Sequence, residues 1–99
     1  MARRAAVFFA FFSISAPSYA ASICIDGSYI FTGDVRSIEI YDNVCNKTVG
    51  TFDVIGGSKR TGIPVCLNGD NASVNYRNVT TNSPVTRKDW LKNGDCITP

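Results

Sequence analysis

Residues 35–55 read VRSIEIYDNVCNKTVGTFDVI, and this stretch decides the fold class. Apolar and polar side chains alternate on both sides of a central turn-forming segment, DNVCN. Each half places two apolar side chains on one face: Ile38 and Ile40 in the first, Phe52 and Val54 in the second. A period of two is typical of strands that bury one face. We therefore predict strands over residues 35–41 and 47–55.

The same pattern extends in both directions along the chain. Four further segments are strand candidates, and the last is also compatible with one helical turn: residues 23–31, 63–67, 72–80 and 85–91. Gly27 interrupts the first of them and indicates a bulge or a bend. Pro64 has no N–H to donate, so its strand is expected at a sheet edge or to be irregular.

Turn-forming residues separate these segments at intervals of roughly 8 to 12 residues. Glycine, asparagine, aspartate and serine are concentrated in residues 32–34, 56–60, 68–71 and 93–95. Short strands at this spacing are typical of a sandwich or a barrel. The sequence therefore predicts an all-β fold, a small antiparallel β-sandwich of five or six strands stapled by disulfides.

The first 20 residues have the three parts of a secretory signal peptide. Two arginines precede the apolar run AAVFFAFFSI, and Ser18-Tyr19-Ala20 places small residues where a signal peptidase cleaves. The run is shorter than the roughly 20 apolar residues that a transmembrane helix needs. We therefore predict that residues 1–20 are removed and that residues 21–99 form a single secreted domain.

The predicted mature domain carries no net charge. The chain has ten Lys and Arg against eight Asp and Glu, and the excess of two is Arg3 and Arg4. Nucleic acids and anionic membranes attract surplus positive charge, so we expect neither as a partner. The absence of histidine removes imidazole bases and ligands. We predict a monomeric, non-enzymatic protein without a cofactor, a metal site or catalytic residues.

Four cysteines lie in the predicted mature domain: Cys24, Cys45, Cys66 and Cys96. An even number in a short exported chain is typical of disulfides, whereas zinc sites usually contain close cysteine pairs and histidines. We predict two structural disulfides, which would compensate for the limited core of a domain this small. Four cysteines allow three pairings, and the spacing does not choose among them.

The single tryptophan, Trp90, follows the basic pair Arg87-Lys88. A lone tryptophan in a small domain more often belongs to the core, and we predict Trp90 there. The alternative is an exposed aromatic anchor for a protein partner, with the basic pair at its rim. A second basic pair, Lys59-Arg60, is interpreted together with the first as solvated loop charge.

Three segments match the N-glycosylation pattern, beginning at Asn46, Asn71 and Asn78. Some matches arise by chance in a domain rich in asparagine, serine and threonine. The pattern has a meaning only in a eukaryotic protein, and the sequence leaves open whether these sites are occupied.

The cysteine layout resembles that of a known family. Cys24 follows the predicted cleavage site closely, Cys45 follows the second strand, Cys66 lies mid-chain and Cys96 ends an Asn-Gly-Asp-Cys segment near the C-terminus. This layout is similar to that of the ToxB-like (MAX) effectors of plant-pathogenic fungi. The resemblance implies a six-stranded sandwich of two three-stranded sheets, with Cys24 joined to Cys66 and Cys45 to Cys96. It also implies that the protein acts by binding a host protein.

These observations together predict a secreted, non-enzymatic effector of virulence or avirulence type that binds a host plant protein. Entry into host cells would be a further step, and strand addition at a sheet edge is one mode of binding. Two alternatives stay open. One is a secreted antimicrobial or killer-type toxin, although such toxins usually carry a positive surface. The other is an exported bacterial β-domain, such as an enzyme inhibitor.

Overall fold

The computed structural model of the protein describes the backbone of residues 19–99 and the side chains of residues 21–99. The predicted signal peptide therefore lies outside the described residues, apart from the backbone of its last two. Seven strands make up the regular structure: β1 (Tyr19–Asp26), β2 (Val35–Asp42), β3 (Lys47–Ile55), β4 (Lys59–Cys66), β5 (Ala72–Asn78), β6 (Thr86–Leu91) and β7 (Cys96–Ile97). No helix with the length and hydropathy of a membrane span occurs in residues 19–99.

The strands form two sheets that pack against each other. One has the order β4-β1-β7 and the other the order β3-β2-β5-β6. All neighbours are antiparallel except β1 and β7, which are parallel. The predicted all-β sandwich is confirmed. The seventh strand is the two-residue β7, and the sheets have three and four strands, whereas the resemblance to ToxB-like effectors implies three in each.

The core lies between the sheets and consists of branched aliphatic side chains at alternating positions. The three-stranded sheet contributes Ile23, Ile25, Ile63, Val65 and Ile97, and the four-stranded sheet contributes Ile38, Ile40, Val54, Val74 and Leu91. Each fully buried side chain of this size stabilises the fold by about 1.5–3 kcal/mol. The faces predicted for the second and third strands are confirmed.

The first strand ends earlier than the alternation predicts. β1 stops at Asp26, and Gly27 is buried with its N–H donating to the Ser58 carbonyl oxygen at 2.8 Å. A Cβ at position 27 would approach that oxygen to 2.7 Å, so the close packing requires glycine. The chain turns here instead of continuing, which reverses the predicted faces. Ile30 is buried and Phe31 is exposed.

The remaining strands lie where predicted, but several boundaries differ. β4 ends at Cys66 and not at residue 67, β5 ends at Asn78 and not at residue 80, and β6 begins at Thr86 and not at residue 85. β3 has the predicted bounds, and β4 lies at a sheet edge with Pro64 exposed, as predicted. β4 begins at Lys59, so the Lys59-Arg60 pair belongs to a strand and not to a loop. The Arg60 guanidinium lies over the Phe52 ring at 5.4 Å. The last candidate segment is strand β6 and contains no helical turn.

Two disulfides are present as predicted, but their pairing differs from the one that the resemblance implies. Cys24 is bonded to Cys96 and Cys45 to Cys66, and the described part of the chain contains no free cysteine. The reason is the strand order. β1 and β7 are neighbours with Cys24 directly opposite Cys96, at a Cα–Cα distance of 4.3 Å. Cys45 follows β2 and faces the end of β4, where Cys66 lies.

This pairing can be tested by tryptic mapping of the non-reduced protein without the predicted signal peptide. The chain has Lys or Arg between every two successive cysteines, so each cysteine falls on its own peptide. We expect residues 21–36 to be recovered linked to residues 93–99, and residues 37–47 linked to residues 61–77. Recovery of residues 21–36 joined to residues 61–77 would contradict the structure and restore the pairing of the resemblance.

A buried carboxylate connects the two sheets beside the second disulfide. Asp42, at the end of β2, is 0% exposed. Its Oδ1 accepts the N–H groups of Val44 and Cys45 at 2.8 and 3.1 Å, and its Oδ2 accepts the N–H of Cys66 at 2.8 Å. Asp42, Cys45 and Cys66 form the single cluster of potential metal ligands among the described residues. The two sulfurs are bonded to each other, so this cluster is structural.

Candidate functional site

A β-bulge places Trp90 outside the core. In the pairing of β5 with β6, Ala72 lies opposite Leu91 and Val74 opposite Lys88, so two residues of β6, Asp89 and Trp90, face one residue of β5. A regular strand would alternate Trp90 inward and Leu91 outward. The extra residue shifts the register, so Leu91 fills the core position. The predicted core location of Trp90 is therefore wrong, and its indole is 78% exposed.

The backbone at Trp90 is in the left-handed region, with φ of +63°. Bulge positions of this kind are normally occupied by glycine, and a bulky residue there is an outlier. The cost is about 1–3 kcal/mol, and strain of this kind concentrates at functional sites. A strained backbone that holds a large aromatic side chain in solvent points to a role for that side chain in binding.

A surface groove of about 620 Å³ runs alongside Trp90. Its walls come from the β2–β3 turn, from the β4–β5 turn and from the outer face of β5 and β6. Six of the ten lining residues are polar or charged and four are apolar: Asn43, Asn68, Asn71, Ser73, Arg87 and Asp89, and Val44, Leu67, Ala72 and Trp90. Volumes of roughly 300–1,000 Å³ are typical of small-ligand sites. We call this region the Trp90 groove.

A hydrogen-bond network fixes the floor of the Trp90 groove. The Asn43 amide donates to Ser73 Oγ and to Asn75 Oδ1, both at 3.0 Å. The Ser73 hydroxyl donates in turn to Asp89 Oδ1 at 2.5 Å. Arg87 Nε donates to both carboxylate oxygens of Asp89, at 3.0 and 3.1 Å. These bonds hold the side chains in place before any ligand arrives.

The network keeps the Asp89 carboxylate ionised. The hydrogen bond from the Ser73 hydroxyl lowers the pKa of Asp89, partial desolvation opposes this, and the Arg87 guanidinium lowers it further. The carboxylate and the guanidinium also cancel each other's charge within the groove. The lining residues therefore include polar groups of both signs, with one positive and one negative side chain.

A second exposed surface lies in the loop before β2 and at the adjoining ends of β2 and β3. Val35 and Ile55 are cross-strand partners and are both exposed. Phe31 is 82% exposed. Its carbonyl oxygen lies so close to Gly56, the residue after Ile55, that a Cβ on Gly56 would overlap it. The Phe31 backbone therefore lies directly beside the end of β3. We call the side chains of Phe31, Val35 and Ile55 the Phe31 patch.

The loop that carries Phe31 is fastened at both ends and in the middle. Ser28 N–H donates to Asp26 Oδ1 at 2.9 Å, and this bond lowers the pKa of the Asp26 carboxyl. Asp34 N–H donates to the Phe31 carbonyl oxygen, and Gly56 N–H donates to the Asp34 carbonyl oxygen at 2.7 Å. Ile30, one residue before Phe31, is buried in the core. Phe31 is thus held out on a rigid support.

Three of the four edge strands, β3, β4 and β6, carry features that discourage strand addition. Arg60 Nη1 donates to the Asp53 carbonyl oxygen of edge strand β3 at 3.1 Å. Edge strand β4 contains Pro64, and edge strand β6 is interrupted by the bulge. Lys88 of β6 lies opposite Val74 and is exposed, so it places a charge on this edge strand. Side-chain surfaces are therefore better candidates for recognition than the backbone edges.

The three N-glycosylation matches lie in different environments. Asn46 is exposed in the β2–β3 turn, Asn71 is half-buried in the Trp90 groove, and Asn78 is buried. Asn78 Oδ1 accepts the Thr81 N–H at 3.2 Å. Of the three, Asn46 is the position where a glycan fits the folded domain without displacing a contact.

No protein-family model matches the chain, and neither the curated proteins nor the solved structures include a match to it. The site must therefore be interpreted from its own chemistry.

The sequence pattern draws attention to Trp90 and Arg87 but predicts the tryptophan in the core, and it predicts Phe31 on a buried face. One signal was available for Trp90. It is adjacent to Leu91, and a regular strand can bury only one of two neighbouring apolar side chains. For Phe31 the signal was Gly27, whose predicted bend is in fact the end of the strand.

Proposed function

We propose that the mature chain is a secreted, non-enzymatic effector that binds a host plant protein through the Phe31 patch. The observation that carries this proposal is Phe31 itself, an aromatic side chain 82% exposed on a loop fixed by hydrogen bonds. Exposed apolar clusters on small soluble domains mark protein-interaction sites. Aromatic side chains are also the residues that most often dominate binding energy.

The rigidity of the loop adds to this argument. Binding by a flexible loop costs the conformational entropy of ordering it, whereas a preorganised loop avoids that cost. The buried Ile30 and the close approach of Gly56 to Phe31 leave the loop little freedom. A partner with an apolar pocket would therefore meet Phe31 already in its bound position.

The chemistry of the chain supports binding in preference to catalysis. The sequence has no histidine. The Asp42 carboxylate is buried, and its oxygens accept hydrogen bonds from three backbone N–H groups. The exposed Asp89 carboxylate is ionised and bonded to Arg87, which leaves it a weak proton acceptor. A small, neutral, disulfide-stapled β-sandwich with an export signal fits the effector mode of action of the ToxB-like proteins. The disulfide pairing differs from theirs, so the proposal retains their mode of action, binding to a host protein, without their contact residues.

The test is capture from a leaf extract by the immobilised, disulfide-bonded protein, compared with its Phe31→Ala variant. We expect a plant protein to be retained by the natural chain and lost with the variant. The purified partner should then bind Phe31→Ala at least tenfold more weakly. Val85→Ala is the matched control, because Val85 is apolar, 61% exposed and outside the Phe31 patch.

Retention should be unchanged for Val85→Ala. The proposal fails if every plant protein retained by the natural chain is retained equally by Phe31→Ala. Because Phe31 contributes little buried area, both variants should unfold at the same denaturant concentration as the natural chain. A change in retention can then be assigned to the surface and not to the fold.

A further inference from the structure

The structure assigns a second binding site to the Trp90 groove, and we propose that it takes a neutral oligosaccharide whose sugar ring stacks on the exposed indole. This inference is independent of the Phe31 patch and goes beyond the proposed function. It follows from three features of the groove: an exposed aromatic face, planar polar side chains that have spare hydrogen-bonding capacity, and a balanced charge.

The exposed indole supplies the stacking surface. The face of an aromatic ring is electron-rich and attracts the weakly positive C–H groups of an apolar face. A pyranose ring presents such a C–H face, with hydroxyl groups around its edge. Trp90 is held in solvent by a strained bulge, so its face is available without any rearrangement.

The groove also supplies hydrogen-bond partners for the hydroxyl groups. Within the described part of the chain, the side-chain amide of Asn68, the Nδ2 of Asn71 and the terminal nitrogens of Arg87 donate no hydrogen bond. The amide oxygen of Asn43 accepts none, since its Nδ2 makes the bonds to β5. Amides offer both donors and acceptors and so match hydroxyl groups, which are both at once.

Bonds already made in the groove fix the positions of three of these side chains. Asn43 is anchored by two bonds, Asn71 Oδ1 accepts Lys92 Nζ at 3.0 Å, and Arg87 is locked to Asp89. A site whose polar side chains are held by their neighbours binds with a smaller entropy cost. Preorganised polar groups beside an aromatic platform are the arrangement that a sugar ring requires.

The charge of the groove decides against two other ligands that stack on tryptophan. Nucleobases stack on aromatic rings, but their phosphates require unpaired positive charge. Arg87 is paired with Asp89, so the lining residues carry no net charge. A further cation, Lys92, contacts the lining residue Asn71, but its Nζ is bonded to the Asn71 amide oxygen. The predicted mature domain has no surplus of positive charge. A purely apolar ligand would leave the asparagine amides unpaired. A neutral, hydroxyl-rich ligand needs no unpaired positive charge and can form hydrogen bonds with the asparagine amides.

The experiment uses Trp90 as its own reporter, because it is the only tryptophan in the chain. The secreted, disulfide-bonded protein is titrated with cellotetraose, laminaritetraose, mannotetraose and the tetramer of N-acetylglucosamine, each to roughly 10 mM. This range covers the millimolar affinities of weak complexes. We expect a saturable change of tryptophan fluorescence with at least one of them. The responding tetramer then distinguishes plant-wall from fungal-wall and glycoprotein sources. The absence of a saturable change with every tetramer overturns the proposal.

Variants separate binding from folding. Calorimetry with the responding sugar should show an affinity loss of at least tenfold for Trp90→Ala and a smaller loss for Trp90→Phe. Trp90→Gly should also lose binding, yet its melting temperature should rise by about 4–8 °C, because glycine relieves the strain at φ of +63°. Phe31→Ala should bind the sugar as the natural chain does. The proposal is overturned if Trp90→Ala retains affinity within twofold.

Discussion

Replacing Asp42 by alanine is expected to lower the free energy of unfolding by about 3–5 kcal/mol. The carboxylate accepts three backbone N–H groups in a fully buried position. Each donor that loses its partner in such a place costs roughly 1–3 kcal/mol. A domain of this size has a total stability of roughly 4–12 kcal/mol. The substitution therefore removes a large part of the stability, and equilibrium unfolding in urea measures it.

The structural reason for this large effect is the position of Asp42 between the sheets. Its Oδ1 holds the turn after β2, and its Oδ2 holds the N–H of Cys66 in the other sheet. Asp42→Asn should lose less, because the amide oxygen can still accept in the turn while its NH₂ group faces the Cys66 N–H. Asp70→Ala is the control, since Asp70 is exposed in the β4–β5 turn, and it should change stability by less than about 0.5 kcal/mol. An Asp42→Ala protein within about 1 kcal/mol of the natural chain would show that water replaces the carboxylate.

The strands were predictable because their pattern is local. Alternation in residues 35–41 and 47–55 places Ile38, Ile40 and Val54 inward, and the sandwich buries all three. Pro64 was expected at an edge for a reason that holds in any sheet, its missing N–H. Predictions of this kind need only the neighbouring residues, and they were confirmed.

The exposed aromatic residues were not predictable in the same way, because tertiary contacts override the alternation. Phe31 continues the apolar period of the first strand, but Gly27 packs against Ser58 and ends that strand. The alternation of β6 predicts Trp90 in the core, but the bulge shifts the register so that Leu91 occupies the core position. Glycine at the left-handed position is the usual sequence signal of such a bulge, and here that position is occupied by tryptophan. The two proposed binding surfaces therefore lie where local rules fail, as expected of functional positions.

The disulfide pairing depends on topology and so could not come from spacing. Cys24 and Cys96 are 72 residues apart, yet they lie opposite each other because β7 pairs with β1 in parallel. A strand of two residues is too short for its sequence to predict that it pairs in parallel with β1. Once the strand order is known, each cysteine has one partner within reach.

Removal of the Cys24–Cys96 disulfide by the double substitution Cys24→Ala and Cys96→Ala is expected to cost about 4 kcal/mol. Loop-closure entropy gives this value for a bond that spans 72 residues, and about 3 kcal/mol for the Cys45–Cys66 bond, which spans 21. Urea unfolding of the two double variants against the natural protein measures both losses. A smaller loss for the 72-residue loop than for the 21-residue loop would contradict the entropic origin.

A second effect of the same substitution acts on the folded state and can be measured separately. β7 has two residues, and its Ile97 is buried against the core. Apart from the disulfide, β7 is held by its short pairing with β1 and by bonds from the preceding turn, including Gly94 N–H to the Ser22 carbonyl oxygen. Without the covalent bond we expect β7 to detach locally, because two residues of pairing cannot offset the entropy of the chain end. In the double variant, the backbone amides at positions 96 and 97 should then exchange faster than those of β2. An unchanged exchange rate would mean that the whole loss of unfolding free energy arises in the unfolded state.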